Sequence, residues 1–292
     1  MGYNGAYTAK KDERRNSGVK IGLSTAAFYG RWEVEEAAAH IGGYGAECAE
    51  VFLQTRSEYT RSFARLVRAN LGGVPCTSVH PFGTGFENEF FARSARQRAD
   101  ALDTLRHVLD AAAELGAHLY VYHGRYSPAR VELPFEPQRN AEILTLMQAE
   151  ADRRDIRIAW ENVCWCQLTT PERVREMRRL LPEIRFTLDI KQAMRARCDP
   201  MDFVDAMGPR LANVHVCDWD RAGKLCLPGE GAFDFNALIR VLHRADYRGA
   251  MMLEPYLALV KSDGALAESV AYLKRAEARA RKSMIDENAP QE

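Results

Sequence analysis

The chain has 292 residues, 47% of them apolar, with 40 basic and 40 acidic side chains and a formal net charge of zero. That is enough chain to bury a substantial core, and several fold classes, α/β barrels among them, use this length as one domain. Charge neutrality argues against a protein whose affinity rests on a broad positive field for nucleic acid or anionic lipid, and leaves room only for a local basic patch.

In chain order, the opening MGYNGAYTAKKDERRNSG is polar and charged without an apolar core, so it is not a secretory signal. Residues 1–18 and 283–292 read as disordered tails around a domain over 19–282. Short β-rich runs then recur: VKIGLST (19–25), AECAEVFL (46–53), PCTSVHP (75–81), HLYVYHG (118–124), RIAWEN (157–162), RFTLDI (185–190), ANVHVCD (212–218) and GAMMLEPY (249–256). Stretches of helical periodicity lie between them, such as RWEVEEAAAHI after the first run and FFARSARQRADALDTLRHVLDAAAEL after the third. AEILTLMQAEADRR, PERVREMRRLL and FDFNALIRVLHRA follow further along. Pro171 opens one helix and Gly116 stops another.

Strands alternating with helices mean parallel pairing through right-handed crossovers, and eight such units mean closure. The pattern predicts an α/β protein folded as a single (β/α)8 TIM barrel. A doubly wound open sheet would carry a Gly-rich turn after its first strand, and neither GxGxxG nor a Walker pattern is present. No uninterrupted apolar run is long enough to span a bilayer. Seven scattered cysteines, odd in number and without a CxxC pair, read as reduced thiols in a cytoplasmic protein.

Catalytic groups of such barrels sit at the C-terminal ends of the strands. Here six consecutive strands place an imidazole or a carboxylate there: His80, His123, Glu161, Asp189, His215 and Glu254. Three carboxylates converging without a cation would repel one another and raise each other's pKa. A divalent metal shared by Glu161, Asp189, His215 and Glu254 removes the conflict. This oxygen-rich set suits one Mn²⁺ or Mg²⁺, with Co²⁺ or Zn²⁺ also admitted. Cys164, Cys166 and Cys217 lie near these residues in sequence and read as packing thiols.

With WEN at 160–162, LDI at 188–190, HVCD at 215–218, LPGEG at 227–231 and LEP at 253–255, the chain resembles the xylose isomerase-like superfamily. That superfamily includes sugar and sugar-phosphate isomerases and epimerases, inosose dehydratases and the endonuclease IV group. The resemblance covers residues 19 to 280 and implies that Glu161 and Glu254 are both ligands and the acid/base pair. It implies a metal-dependent isomerase or epimerase. Proton abstraction beside a metal-bound carbonyl gives an enediolate, which is then reprotonated. Dehydration or β-elimination on the same barrel is the alternative, including C-glycoside cleavage with a small partner subunit. A non-catalytic sugar-binding barrel is a third. The trinuclear zinc of endonuclease IV would need ligands where this chain has Gln192, Gly223 and Leu225, which argues against a nucleic-acid substrate. The expected partners are a carbohydrate or polyol-like small molecule and a second copy of the chain, with no membrane.

Around this centre, His80 and His123 are candidates for substrate contact, acid/base work or a second metal. Gln192 cannot take a proton but can contact substrate. Lys191 can neutralise charge or lie exposed in a loop, and Arg221 can reach substrate hydroxyls or a phosphate. The loops after the strands are rich in aromatics, Phe28, Tyr29, Trp32, Phe82, Phe86, Tyr126, Trp165, Trp219 and Tyr256, which suit stacking on sugar C–H faces. Gly229 and Gly231 read as a tight turn before the seventh helix.

Overall fold

The computed structural model describes residues 18–82, 85–127 and 133–287. Its eight barrel strands are β1 Lys20–Ser24, β2 Cys48–Leu53, β3 Cys76–Pro81, β4 Leu119–Tyr122, β5 Arg157–Glu161, β6 Arg185–Asp189, β7 Leu211–Val216 and β8 Ala250–Leu253. Each pairs in parallel with its neighbours in sequence, and β8 closes on β1. All eight expected strands are present, and the closed parallel ring is the expected architecture.

The helices that cover the ring are α1 Val34–Ile41, α2 Arg61–Asn70, α3 Ala95–Leu115, α4 Pro137–Asp152, α5 Pro171–Leu180, α6 Pro200–Met207, α7 Phe235–Arg244 and α8 Asp263–Glu287. Their ends follow local chemistry. Ser94 caps α3 by accepting from Gln97 N, and Gly116 stops it in the left-handed conformation at φ 82°. Thr170 caps α5, with Pro171 at its first turn. Two small insertions sit at the strand ends: a short helix, Ile190–Arg195, directly after β6, and a ribbon pairing Asp218–Trp219 with Leu225–Cys226 after β7. The last helix runs on to Glu287, and within it Ser283 Oγ donates to Arg279 O. The rest of the two expected tails, 1–17 and 288–292, lies outside the described residues.

Side chains alternate along each strand, so His80 and Ser78, Asp189 and Thr187, His215 and Asn213, and Glu254 and Met252 share an inward face. Contacts across the ring confirm the direction: Asn213 on β7 reaches Glu50 on β2, three strands away. Beneath the strand ends the interior is filled by Glu50, Ser78, Asn213, Met252 and Cys48, each at most 1% exposed. Gly22 completes this floor, because a Cβ there would stand 2.6 Å from Met252 Sδ and 2.8 Å from Cys48 Sγ. The interior directly beneath the strand ends is therefore packed. Among the described residues, no helix is long and apolar enough to cross a membrane.

Candidate metal centre

Strand register brings the predicted ligands to one height. Asp189 pairs with His215, His215 pairs with Met252, and Glu254 N donates to Val216 O. One ligand atom from each of Glu161, Asp189, His215 and Glu254 lies within 4.8 Å of all the others. His215 Nδ1 stands 3.5 Å from Glu161 Oε1 and 3.4 Å from Glu254 Oε2. The four residues are between 1% and 8% exposed.

Asp189 is fixed twice over. Its Oδ1 caps the short helix by accepting from Gln192 N at 2.9 Å. Asn162 grips its backbone, accepting from Asp189 N at 2.7 Å and donating to Asp189 O at 3.0 Å. Asp189 Oδ2, Glu161 Oε2 and His215 Nδ1 make no well-directed hydrogen bond among the described residues, although Lys191 Nζ stands 3.3 Å from the first and His123 Nε2 3.0 Å from the second. Buried polar atoms are rarely left so, and three from three strands converge here. Opposed ligands of a small divalent cation stand about 4.2 Å apart, twice a metal–oxygen distance of about 2.1 Å. The residues present therefore fit a divalent ion, and three carboxylates with one imidazole form a hard donor set.

Charge at this centre is strongly perturbed. Burial, with Glu161 and Glu254 close by, pushes Asp189 up to about 6 against the pull of Lys191. Burial also opposes ionisation of Glu161, but His123 and His215 outweigh it and hold this carboxyl well below the usual range. His215 and Lys191 do the same for Glu254. His215 is raised well above its ordinary value because Glu50, Glu254 and Glu161 overcome the burial of its ring.

The secondary candidates divide. His80 and His123 join the centre: their Nε2 atoms are 2.7 Å apart, and His80 Nδ1 is 3.3 Å from Glu254 Oε1. His123 Nε2 is 3.0 Å from Glu161 Oε2, and His80, His123 and Glu161 form a second group of ligand atoms within 4.8 Å. Lys191 is buried, with Nζ 3.3 Å from both Asp189 Oδ2 and Glu254 Oε2, so it is no exposed loop residue. Gln192 turns its amide oxygen to Cys164 N at 3.4 Å, tying the loop after β5 to the short helix. Trp165 stands edge-on to His123 at 5.4 Å, with Tyr126 beyond it at 5.9 Å. Arg221 lies exposed at the tip of the ribbon.

Two aromatics expected at the mouth are core residues instead. Phe28 ends a 3-10 turn that folds it against Trp32 and Tyr44, and Phe86 packs on Tyr59 and Phe90. Tyr29, Phe82 and Phe52 form a three-ring cluster that reaches His80 through Phe52, at 5.4 Å. The Gly-Glu-Gly stretch is a turn wrapped around Asp218, whose carboxylate accepts from the backbone of Trp219, Gly229 and Phe233. A Cβ on Gly231 would lie 2.2 Å from Asp218 Oδ1. All seven cysteines are unpaired thiols.

Two buried carboxylates escaped the sequence reading. Glu50 Oε2 accepts from Ser78 Oγ at 2.7 Å, from His215 Nε2 at 3.0 Å and from Asn213 Nδ2 at 3.1 Å. With one proton held at Nε2, the imidazole offers Nδ1 to the cluster. An acid inside the apolar run CAEVFL is the same signal that marks Asp189, at mid-strand rather than at a strand end. Glu87 accepts from Tyr120 Oη at 2.8 Å and from His123 N at 3.1 Å, and burial pushes it up to about 7. It sits on a 3-10 turn and leaves no periodic trace in the sequence.

Residues 15–276 match the family model for the xylose isomerase-like TIM barrel. An uncharacterized protein of Mycobacterium leprae (strain TN) is 28% identical over 273 residues, covering 84% of this chain and 91% of its own length. Among solved structures, the apo form of 3-keto-D-glucoside 4-epimerase from E. coli superposes with a TM-score of 0.69 at 19% identity, over 88% of this chain and 99% of that one. The IolI protein with a bound zinc atom gives 0.69 at 14% identity, over 89% and 97%. At these identities the structural likeness establishes the fold, while the family match spans nearly the whole chain. The chain is a member of the xylose isomerase-like TIM barrel family.

Proposed function

We propose that the protein is a divalent-metal-dependent isomerase or epimerase of a sugar or sugar phosphate. The observation that carries this is the convergence of Glu161, Asp189, His215 and Glu254 with three unbonded polar atoms at the open end of the barrel. A divalent ion held by these four residues would supply the acidity of a C–H bond next to a carbonyl.

The chain's own groups then divide the work. Glu161 on β5 and Glu254 after β8 stand three strands apart in the ring and are both held ionised, so each can take a proton at neutral pH. One carboxylate removes the proton; the opposite one takes a proton from solvent and delivers it to the other face of the carbon, which inverts it. Return to the adjacent carbon interconverts aldose and ketose. His80, 3.3 Å from Glu254 Oε1, keeps that carboxylate aimed. Trp165 and the Tyr29–Phe52–Phe82 cluster offer apolar faces to the sugar and exclude water from the enediolate.

The test is wash-in of solvent deuterium. The Mn²⁺-loaded protein is incubated with a panel of ketoses and keto-glycosides in D₂O, beside Glu254→Gln. Exchange at one carbon by wild type, lost in a folded Glu254→Gln, supports the assignment. Full exchange by that variant, or loss of water from the substrate in place of exchange, overturns it.

A further inference from the structure

Lys191 is the feature of this centre that the proposed reaction does not require. It follows Asp189 on the short helix after β6, is 4% exposed, and aims its ammonium into the ligand cluster. Nζ is 3.3 Å from Asp189 Oδ2, the oxygen without a hydrogen bond, and 3.3 Å from Glu254 Oε2, the oxygen that faces His215 Nδ1. It also lies 3.4 Å from Glu254 O. The ammonium thus sits on the same two oxygens through which Asp189 and Glu254 would hold an ion.

The same ammonium already lies over an aromatic face: the Tyr256 ring centroid is 4.7 Å from Nζ and the residue is 42% exposed, while Arg195 lies over the ring at 5.2 Å and donates to its hydroxyl. An aromatic face receives an ammonium well.

From this geometry we infer that Lys191 is the resident counter-cation of the cluster and competes with the divalent ion for Asp189 and Glu254. The inference rests on the metal reading above. An ion held there would displace the ammonium from the two carboxylate oxygens and leave the Tyr256 face as its remaining contact. In the metal-free protein it offsets part of the charge of three neighbouring carboxylates. Its presence weakens ion binding, since like charges a few ångströms apart repel strongly even at an interior dielectric of about 20.

The experiment measures Mn²⁺ and Zn²⁺ dissociation constants by competition with a chromophoric chelator, on full-length wild type, Lys191→Met and Lys191→Arg, with melting curves of the metal-free proteins. Lys191→Met is expected to bind at least about tenfold tighter and to melt lower when metal-free, while Lys191→Arg stays within about threefold of wild type. Equal or weaker binding by Lys191→Met overturns the inference and leaves the metal reading standing. Binding by Lys191→Met but not by wild type supports the competition and removes the metal-dependent reading of the native protein. Binding by neither overturns both. If Lys191→Met does not fold, Lys191→Gln, which keeps a donor without the charge, is held to the same tenfold criterion.

Discussion

Replacing Asp189 by Asn separates the stability of this barrel from its chemistry. Burial raises the folded-state pKa of Asp189 from 3.8 to about 6. At about 1.4 kcal/mol per unit, the ionised side chain costs the metal-free protein about 3 kcal/mol. The sign follows from the raised value: the folded state holds the proton more tightly, so stability is lost as pH rises from 3.8 through about 6. Asn is nearly isosteric with the protonated acid, and its Oδ1 can keep the cap on Gln192 N. Urea unfolding in the presence of a chelator should therefore find Asp189→Asn up to about 3 kcal/mol more stable than wild type near pH 8, with the gap closing near pH 4. The same variant should show no melting shift on addition of Mn²⁺. A metal-free Asp189→Asn less stable than wild type at pH 8 would refute the reasoning, because the acid would then be favourably placed without an ion.

Two further substitutions probe the acids behind the centre. Glu50→Gln keeps an acceptor for Ser78, Asn213 and His215 but removes the charge that holds the Nε2 proton; metal affinity by chelator competition should fall about 10- to 100-fold. Unchanged affinity would show that Glu50 does not orient His215. Glu87 titrates near 7 rather than 4.5, so burying its charge costs about 3 kcal/mol at alkaline pH, lost progressively between those two values. The stability of Glu87→Gln relative to wild type should rise by about that amount between pH 4.5 and 8, and a flat difference would count against the shift.

What the sequence made legible were features with a short period. Eight apolar runs separated by helical stretches are enough to specify the ring, and a polar residue ending such a run marks the mouth. Glu161 and Asp189 end their strands, and Glu254 directly follows its own. Glu50 was hidden because its partners come from elsewhere in the ring, Asn213 being 163 positions away. Lys191 could not be oriented from its neighbours. Only when Asp189 caps the short helix does the chain turn sharply enough to point that side chain inward. Phe28 and Phe86 misled for the same kind of reason, since 3-10 turns fold loop aromatics back into the core.

The filled floor beneath the cluster sets an order of traffic. Gly22, Met252 and Cys48 pack closely beneath the cluster, so on the proposed reading an ion and a sugar would both arrive from the strand-end side. The deepest occupant must enter first and leave last. A bound sugar would then act as a stopper over the ion, and stripping by chelators should slow as substrate concentration rises. On the proposed reading, such a barrel would keep its metal best while substrate is bound and be most exposed to losing it when substrate is scarce.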